Sequence, residues 1–228
     1  MSADIYINLS WLLRAPADFR QRCRSIADAA EPAREIWRLA NYAMDEPQMR
    51  QLASAIEKLR ASDASLAPLI PFRLGLVGNA TLDHLIPVLT ATAARHGINL
   101  ECVKADFGQT LQAALDAHSA INRAKPDAVL LALDYRGLPF QENLHNDSIA
   151  AQSVQDAVAF ITAMRDGFQS HSGALSIVQT IAPQPETTFG SLDRAVAGTQ
   201  RALAQAFNAA LIDSIRNSQD TLLDVASL

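Results

Sequence analysis

The sequence predicts a three-layer α/β/α domain built on a doubly wound parallel sheet and preceded by a helical appendage. Short apolar runs recur after residue 71, and amphipathic stretches of helical length separate them. Each stretch is long enough to cross over a sheet between two parallel strands, and right-handed crossovers place helices on both of its faces. With 49% of its 228 residues apolar, the chain can bury one sizeable core.

Residues 1–70 are predicted to form the helical appendage and a linker. Between residues 15 and 60, Ala, Leu, Arg, Glu and Gln dominate, and apolar residues recur at helical spacing. Glu46 and Pro47 suit the first turn of one of at least two helices. Residues 63–71 are predicted to be the linker.

Residues 71–228 are predicted to form the α/β/α domain. The predicted strands are 72–77, 99–103, 128–133, 175–181 and 221–225. The predicted helices are 82–96, 110–123, 148–169 and 192–218. Ligands of such sheets bind beyond the carboxyl ends of the strands, so we looked for functional residues directly after each strand.

Composition excludes several classes of protein. A net charge of -5 without a dense Lys/Arg block argues against nucleic-acid binding. No apolar run approaches the ~20 residues that span a bilayer, and the first residues lack a signal sequence, so a cytoplasmic protein is expected. Cys23 and Cys102 have neither CxxC spacing nor a neighbouring histidine cluster, so we expect neither a disulfide nor a zinc site. No other metal and no cofactor are expected.

The segment Gly78-Asn79-Ala80-Thr81 follows the first predicted strand and is expected to open a helix. Its backbone N–H groups could then receive an anion or a developing oxyanion. An ordinary turn is the alternative, with Thr81 as helix cap and Gly78 permitting the bend. The segment lacks the lysine of a Walker motif and the GxGxxG series, so it is not a nucleotide phosphate loop.

Two further strand ends carry polar residues. Asp134 and Arg136 follow the third strand, where an arginine can hold a phosphate or carboxylate through two hydrogen bonds. A surface Asp–Arg pair is an equally good interpretation. Gly108 and Gln109 follow the second strand and supply a permissive glycine and an amide for an oxyanion pocket.

Four segments of the chain together carry a resemblance to a known family. They are LGLVGNATLDHL, AKPDAVLLALDYRGL, QTIAPQPETTFGS and LLDVASL. In the order and spacing of these segments, from about residue 72 to its last residue, the chain resembles the N-terminal domain of FkbH-like proteins, which implies an SGNH-hydrolase-like fold. In that family a HAD-type phosphatase domain with an Asp-x-Asp-x-Thr loop normally follows. This chain has no such loop, so we expect a fragment or a stand-alone homologue.

The resemblance also implies an activity. FkbH-like proteins are implicated in taking a glyceryl unit from 1,3-bisphosphoglycerate, removing phosphate, and loading the acyl group onto an acyl carrier protein. The expected function is therefore acyl transfer in polyketide or related biosynthesis. The expected partners are an acyl carrier protein, a phosphorylated three-carbon acyl donor such as 1,3-bisphosphoglycerate, and a HAD-type phosphatase domain in cis or in trans.

The chain departs from the SGNH pattern at the nucleophile. The resemblance places Gly78-Asn79-Ala80 at the Gly-Asp-Ser block, Gly108 at the second-block glycine, and Leu133-Asp134 in the Gly-x-Asn-Asp region. Ala80 has no nucleophilic atom, so either Thr81 or Cys102 substitutes for the serine or the pocket only binds. The SGNH Asp and His follow the last strand, close to where this chain stops at Leu228.

Three functional hypotheses follow from these assignments. In the first, the chain takes part in acyl transfer, with Thr81 and Asp134 as catalytic residues. The substrate-binding residues are then Gly78, Asn79, Gly108, Gln109 and Arg136. In the second hypothesis, a catalytically silent module docks the carrier protein or the phosphatase domain. An SGNH esterase is the third, and the absence of a serine at position 80 argues against it.

Overall fold

The computed structural model describes residues 11–62 and 64–228, and these residues form two compact units. The first unit takes in the described residues up to Phe72 together with Leu82–Cys102. The second unit comprises Arg73–Thr81 and Val103–Leu228. The helix that follows the first long strand thus groups with the N-terminal helices. The division into residues 1–70 and 71–228 stays a prediction.

Helices dominate the first unit, and their buried faces form its core. They are α1 (Phe19–Ser25), α2 (Pro32–Ala40), α3 (Glu46–Ala61) and α4 (Leu85–Arg95). Two short strands, β1 (Leu13–Arg14) and β2 (Tyr42–Ala43), pair in parallel. Helix α4 packs against α2 and α3, and Ile36, Leu52 and Ile56 are almost completely buried between the helices.

Helix α3 begins where the sequence predicts it. The Asp45 side chain accepts a hydrogen bond from the Gln48 N–H (2.8 Å), and Gln48 Oε1 accepts one from the Asp45 N–H (2.9 Å). This capping box satisfies two N–H groups that a helix start would otherwise leave unpaired. Pro47 lies in the first turn, where its missing N–H costs nothing.

A five-stranded parallel sheet confirms the predicted α/β/α fold class. Its strands are β3 (Ile70–Gly78), β4 (Ile98–Lys104), β5 (Ala128–Ala132), β6 (Leu175–Gln179) and β7 (Thr221–Leu223). Their order in the sheet is β4-β3-β5-β6-β7. After β3 the chain forms β4 on one side of β3, and it then crosses over to form β5 on the other side. The carboxyl ends of β3 and β5 therefore flank the topological switch point.

Helices also form much of the second unit. They are α5 (Thr110–Leu115), α6 (Ala120–Ala124), α7 (Asp147–Ser172) and α8 (Gln200–Ile215). Helix α7 packs against α5, α6 and α8. Val129 of β5, Phe168 of α7 and Phe207 of α8 are almost completely buried in the shared core. Each such side chain contributes about 1.5–3 kcal/mol through the hydrophobic effect.

The prediction of one helix over residues 110–123 is wrong, because two polar side chains end α5 early. Asn122 Nδ2 donates to the carbonyls of Ala113, Ala114 and Asp116 at 2.8–3.2 Å. Ser119 Oγ donates to the Ala113 carbonyl as well (2.7 Å). The carbonyls that the end of α5 leaves unpaired are thus satisfied from the start of α6, where Ser119 is the helix cap.

The predicted helix over residues 192–218 begins later, at Gln200. Thr199 caps it by accepting a hydrogen bond from the Ala202 N–H (3.3 Å). The preceding residues form a 3₁₀ turn around Asp193, which is buried and accepts two backbone N–H groups at 2.6 and 3.1 Å. Short polar side chains at these positions favour caps and turns over continuous helix.

Among the residues that the structure describes, no helix combines the length and apolarity needed to cross a bilayer.

Candidate functional site

Two side chains join the carboxyl ends of β3 and β5 at the switch point. Asn79 Nδ2 donates to Asp134 Oδ1 at 2.6 Å, and the Asp134 N–H donates to Asn79 Oδ1 at 3.0 Å. Gly78 and Ala132 are register partners, so the two strands leave the sheet at the same level. The structure thus brings together two of the predicted site residues.

A single 3₁₀ turn positions the residues that follow Asp134. Leu133 and Tyr135 are buried, whereas Asp134 and Arg136 are exposed. This alternation of buried and exposed residues fixes the orientation of the turn, because the two buried side chains pack into the core. Asp134 Oδ1 also accepts the Arg136 N–H (2.8 Å), and the Gly137 N–H donates to the Asp134 carbonyl (3.0 Å). No described residue donates a hydrogen bond to Asp134 Oδ2.

Tyr135 is held at both ends of its side chain. Its ring stacks on Phe140, with 4.8 Å between ring centroids, and its hydroxyl donates to Glu142 Oε1 (3.2 Å). Burial and the nearby Glu142 carboxylate raise the Tyr135 pKa well above its usual value. The hydroxyl therefore stays protonated at neutral pH, and Tyr135 acts as an anchor for the turn.

The absence of a side chain at Gly137 leaves the space that the Asn79 amide occupies. A Cβ atom added at position 137 would lie 2.7 Å from Asn79 Cγ and 2.8 Å from Asn79 Oδ1. Such distances are far inside van der Waals contact, so any side chain at this position would displace the amide. Sequence reasoning missed Gly137, because its role depends on a residue 58 positions earlier in the chain.

Arg136 follows Asp134 in the 3₁₀ turn and carries an unpaired guanidinium group. Its side chain is exposed, and it makes no hydrogen bond or ion pair with any described residue. The surface Asp–Arg pair considered from the sequence does not form, since only the backbone N–H of Arg136 contacts Asp134. The guanidinium is therefore available to a phosphate or carboxylate.

The segment Gly78-Asn79-Ala80-Thr81 does not open a helix, so that expectation is wrong. Helix α4 begins at Leu85, with His84 in the cap position. Thr81 consequently caps no helix, and the backbone N–H groups of residues 78–81 do not lie at a helix N-terminus. Ala80 and Thr81 are exposed, and the Thr81 hydroxyl makes no hydrogen bond with a described residue. A hydroxyl nucleophile needs an adjacent base, which Thr81 lacks among the described residues.

Gly108 and Gln109 lie in the turn between β4 and α5, as predicted. Gly108 has φ of +76°, a conformation that favours glycine. The Gln109 carbonyl accepts a hydrogen bond from the Ala113 N–H (2.8 Å) at the start of α5. Its side chain is exposed and makes no hydrogen bond to Asn79 or Asp134, so the structure does not join Gln109 to the pair.

The two cysteines are poor nucleophiles at neutral pH. Burial raises the pKa of the Cys102 thiol to about 11, and burial likewise raises the pKa of Cys23 to about 11. Both thiols are therefore protonated at neutral pH, and the thiolate is the reactive form. Cys102 thus gains no support as a substitute for the missing serine.

We expect iodoacetamide to alkylate both cysteines slowly near neutral pH and faster as the pH approaches about 11. The stability that the thiols contribute is fully present below the unfolded pKa of 9.0. It is lost as the pH rises through the folded value of about 11, since between these two values the folded state binds more protons than the unfolded state. Alkylation rates per cysteine, followed by peptide mass spectrometry, check this result. The urea-unfolded protein is the control, and equal rates at neutral pH in both states would contradict the expectation.

Two more hydrogen bonds join neighbouring strands at the same edge. Gln179 Nε2 donates to the Leu133 carbonyl (3.0 Å), and Thr180 Oγ1 donates to Asp224 Oδ1 (2.8 Å). The sequence analysis missed these links because the predicted strands ran to residues 181 and 225. In the structure β6 and β7 end two residues earlier, so Thr180 and Asp224 lie beyond the strands. Each neighbouring strand pair from β3 to β7 is thus joined by a side chain at the carboxyl edge.

The pair and Arg136 together offer a cation, an amide donor and a carboxylate. Asn79 Nδ2 has a second N–H group beyond the one given to Asp134. Within residues 11–62 and 64–228, no group of three or more His, Cys, Asp or Glu side chains could hold a metal ion. The arrangement suits binding of an anionic group and polarisation of a neighbouring oxygen.

Comparison with known proteins supports the fold alone. No protein-family model matches the chain, and no curated protein matches it either. Among solved structures, it is similar to the N-terminal part of the protein BF1531 from Bacteroides fragilis, which contains a phosphatase domain and is complexed with Mg. The TM-score is 0.62 at 17% sequence identity, and the match covers 75% of this chain. It covers 45% of the other chain, so this chain spans less than half of that structure.

Proposed function

We propose that the chain is the substrate-binding α/β/α part of an FkbH-like acyl-loading protein. It would act with a HAD-type phosphatase domain in cis or in trans. Two observations support the family: the four sequence segments that resemble FkbH-like proteins, and the similarity to a structure that contains a phosphatase domain. The relation to SGNH hydrolases is part of the same proposal.

The unpaired guanidinium of Arg136 carries the proposal. It lies one residue beyond Tyr135 and two beyond Asp134, at the switch point where such sheets bind their ligands. The guanidinium would hold the phosphate of a phosphorylated three-carbon acyl group. The free N–H of Asn79 Nδ2 would then donate to the carbonyl oxygen of the acyl group.

Such a donor needs no nucleophile from this chain. In an acyl phosphate the acyl group is already activated, so the phosphopantetheine thiol of a carrier protein can attack the carbonyl carbon directly. A C–S bond forms while the C–O bond to phosphate breaks, and inorganic phosphate leaves. Asp134 Oδ2, which receives no hydrogen bond from a described residue, would take the proton of the thiol. The alanine at position 80 fits this direct transfer.

A catalytically silent docking module is the second candidate. Ala80 and the unassisted hydroxyl of Thr81 favour it, because both remove the covalent route. Under this alternative the chain binds the carrier protein or the phosphatase domain and takes no part in the chemistry. The same two residues argue against an esterase.

We expect Arg136→Ala to lower the rate of carrier loading by about tenfold or more, the effect of losing a hydrogen bond to a charged group. The chain, the phosphatase domain, 1,3-bisphosphoglycerate and the phosphopantetheinylated carrier are incubated together, and intact-protein mass spectrometry follows the mass gain of the carrier.

Arg123→Ala is the matched control for this experiment. Arg123 is also exposed and unpaired among the described residues, but it lies in the last turn of α6, which leads into the amino end of β5. Unchanged loading by Arg136→Ala would refute the role of the guanidinium. Loading that proceeds without the chain, combined with binding of the chain to the carrier, would favour the docking module.

A further inference from the structure

A pocket in the first unit is lined by cations from two helices. Arg20 and Arg24 of α1 face Arg50 and Lys58 of α3 across a volume of about 570 Å³. No Asp or Glu is among the lining residues. The volume lies within the roughly 300–1,000 Å³ typical of small-molecule sites.

The cations of this pocket differ from the other arginines on the helices of the first unit. Arg20, Arg24 and Lys58 make no hydrogen bond or ion pair with a described residue. Arg20 and Arg24 are four residues apart, a spacing at which like charges destabilise an isolated helix. Three arginines outside the pocket instead pair with acids of their own helix or its cap. These pairs are Arg22–Asp18 (2.9 Å), Arg34–Glu31 (3.0 Å) and Arg38–Glu35 (2.7 Å).

Acids close in sequence to these four cations pair with only one of them. Glu46 forms an ion pair with Arg50 at 2.6 Å, which leaves three of the four cations uncompensated. Glu57, next to Lys58, is not a lining residue and makes no ion pair with a described residue. The pocket is therefore a concentration of positive charge on a protein of net charge -5.

A buried acceptor in the same pocket also lacks a partner. Gln51 Oε1 is buried and receives no hydrogen bond in the part of the chain that the structure describes. A buried acceptor without a donor costs stability, and proteins leave few of them. A ligand with an N–H or O–H group would satisfy it. Ile26, Ala55 and Leu59 supply apolar surface beside it.

We propose that this pocket binds a phosphorylated organic molecule. Arg20, Arg24 and Lys58 contact its phosphate, and Gln51 Oε1 accepts a hydrogen bond from an amide or hydroxyl group of the same molecule. The inference goes beyond the proposed function and does not depend on it. The residues involved lie in α1 and α3, and none belongs to the Asn79–Asp134 site.

Two probes test the phosphate contact and the hydrogen bond to Gln51 separately. Inorganic phosphate carries about the same charge as a phosphomonoester but has no amide, whereas 4′-phosphopantetheine combines a phosphate with amide N–H groups. Isothermal titration calorimetry on the whole chain should show saturable binding of both, with 4′-phosphopantetheine the tighter. Binding of neither probe would overturn the proposal, and equal affinities would overturn the role of Gln51.

The double variant Arg20→Ala/Lys58→Ala tests the cations. Because both side chains are exposed, we expect the fold to persist and both probes to bind about tenfold more weakly, or worse. Arg34→Ala, which removes an exposed arginine outside the pocket, is the control and should leave both affinities unchanged. Equal affinities for the double variant and the unsubstituted chain would overturn the site.

Gln51→Met tests whether the Gln51 oxygen accepts a hydrogen bond from the ligand. The expected combination of effects differs from that of a residue that only stabilises the fold. Removal of the unsatisfied oxygen should raise the melting temperature of the ligand-free protein. It should also weaken binding of 4′-phosphopantetheine while leaving the binding of inorganic phosphate unaffected. A lower melting temperature with unchanged affinity for both probes would show that Gln51 serves the fold alone.

Discussion

Asp134→Asn is expected to slow carrier loading by about a hundredfold or more, the lower end of what a general base contributes. The asparagine keeps an oxygen that can accept the Arg136 N–H but has no carboxylate to take the proton of the thiol. Because Asp134 is exposed, the fold should persist. Initial rates of carrier mass gain, compared with the unsubstituted chain, measure the effect.

Asp127→Asn is the matched control for this prediction. Asp127 precedes β5, whereas Asp134 follows it, so the two carboxylates lie at opposite ends of one strand. Both are exposed, and each accepts a backbone N–H, in the case of Asp127 that of Arg73 (2.7 Å). The control should keep its loading rate. Equal rates for the two variants would remove Asp134 from the chemistry.

Gly198→Ala is expected to destabilise the protein by about 3 kcal/mol or more, the upper range of overpacking effects. An added Cβ would overlap the backbone carbonyl of Asn143, and backbone cannot yield as a flexible side chain can. Urea unfolding followed by circular dichroism measures the free energy of unfolding. A variant with no folded baseline would correspond to an effect beyond this range.

Gly190→Ala separates this steric effect from the conformational preference of glycine. Gly190 has φ of +61°, but a Cβ added there meets nothing within 4 Å. We therefore expect a loss of only about 1–2 kcal/mol, the cost of a left-handed conformation. If Gly198→Ala were no less stable than Gly190→Ala, the close approach at residue 198 would not limit stability.

Local signals explain why much of the fold could be predicted. The start of α3 is encoded by Asp45, Gln48 and a proline within four residues of one another, and the cap forms as expected. The five apolar runs became the five strands of the sheet, since runs of this kind flanked by amphipathic stretches have few other ways to bury their side chains. Helix breaks were harder. The break after α5 depends on Asn122, which sequence spacing alone would place within a continuous helix.

The candidate site could be predicted only in part, because its geometry depends on distant residues. Position after a strand identified Asn79, Asp134 and Arg136 as residues at the carboxyl edge. The hydrogen bonds between Asn79 and Asp134 cross 55 positions of sequence, and they follow from the register of β3 with β5. Gly137 was missed for the same reason. Gln109 also follows a strand, but its side chain makes no hydrogen bond to Asn79 or Asp134.

The reciprocal hydrogen bonds between Asn79 and Asp134 also restrict which sequences this chain can reach by mutation. A serine at position 80 would add a hydroxyl, but the Gly-Asp-Ser block that the proposed relation to SGNH hydrolases places here also has aspartate at position 79. That aspartate would place a second carboxylate where the amide nitrogen now lies 2.6 Å from Asp134 Oδ1. Two carboxylates so close cannot both be ionised, so one would hold a proton at neutral pH. The amide at position 79 and the carboxylate at position 134 are thus chemically coupled, and together they separate this sequence from a serine hydrolase by more than the one missing hydroxyl.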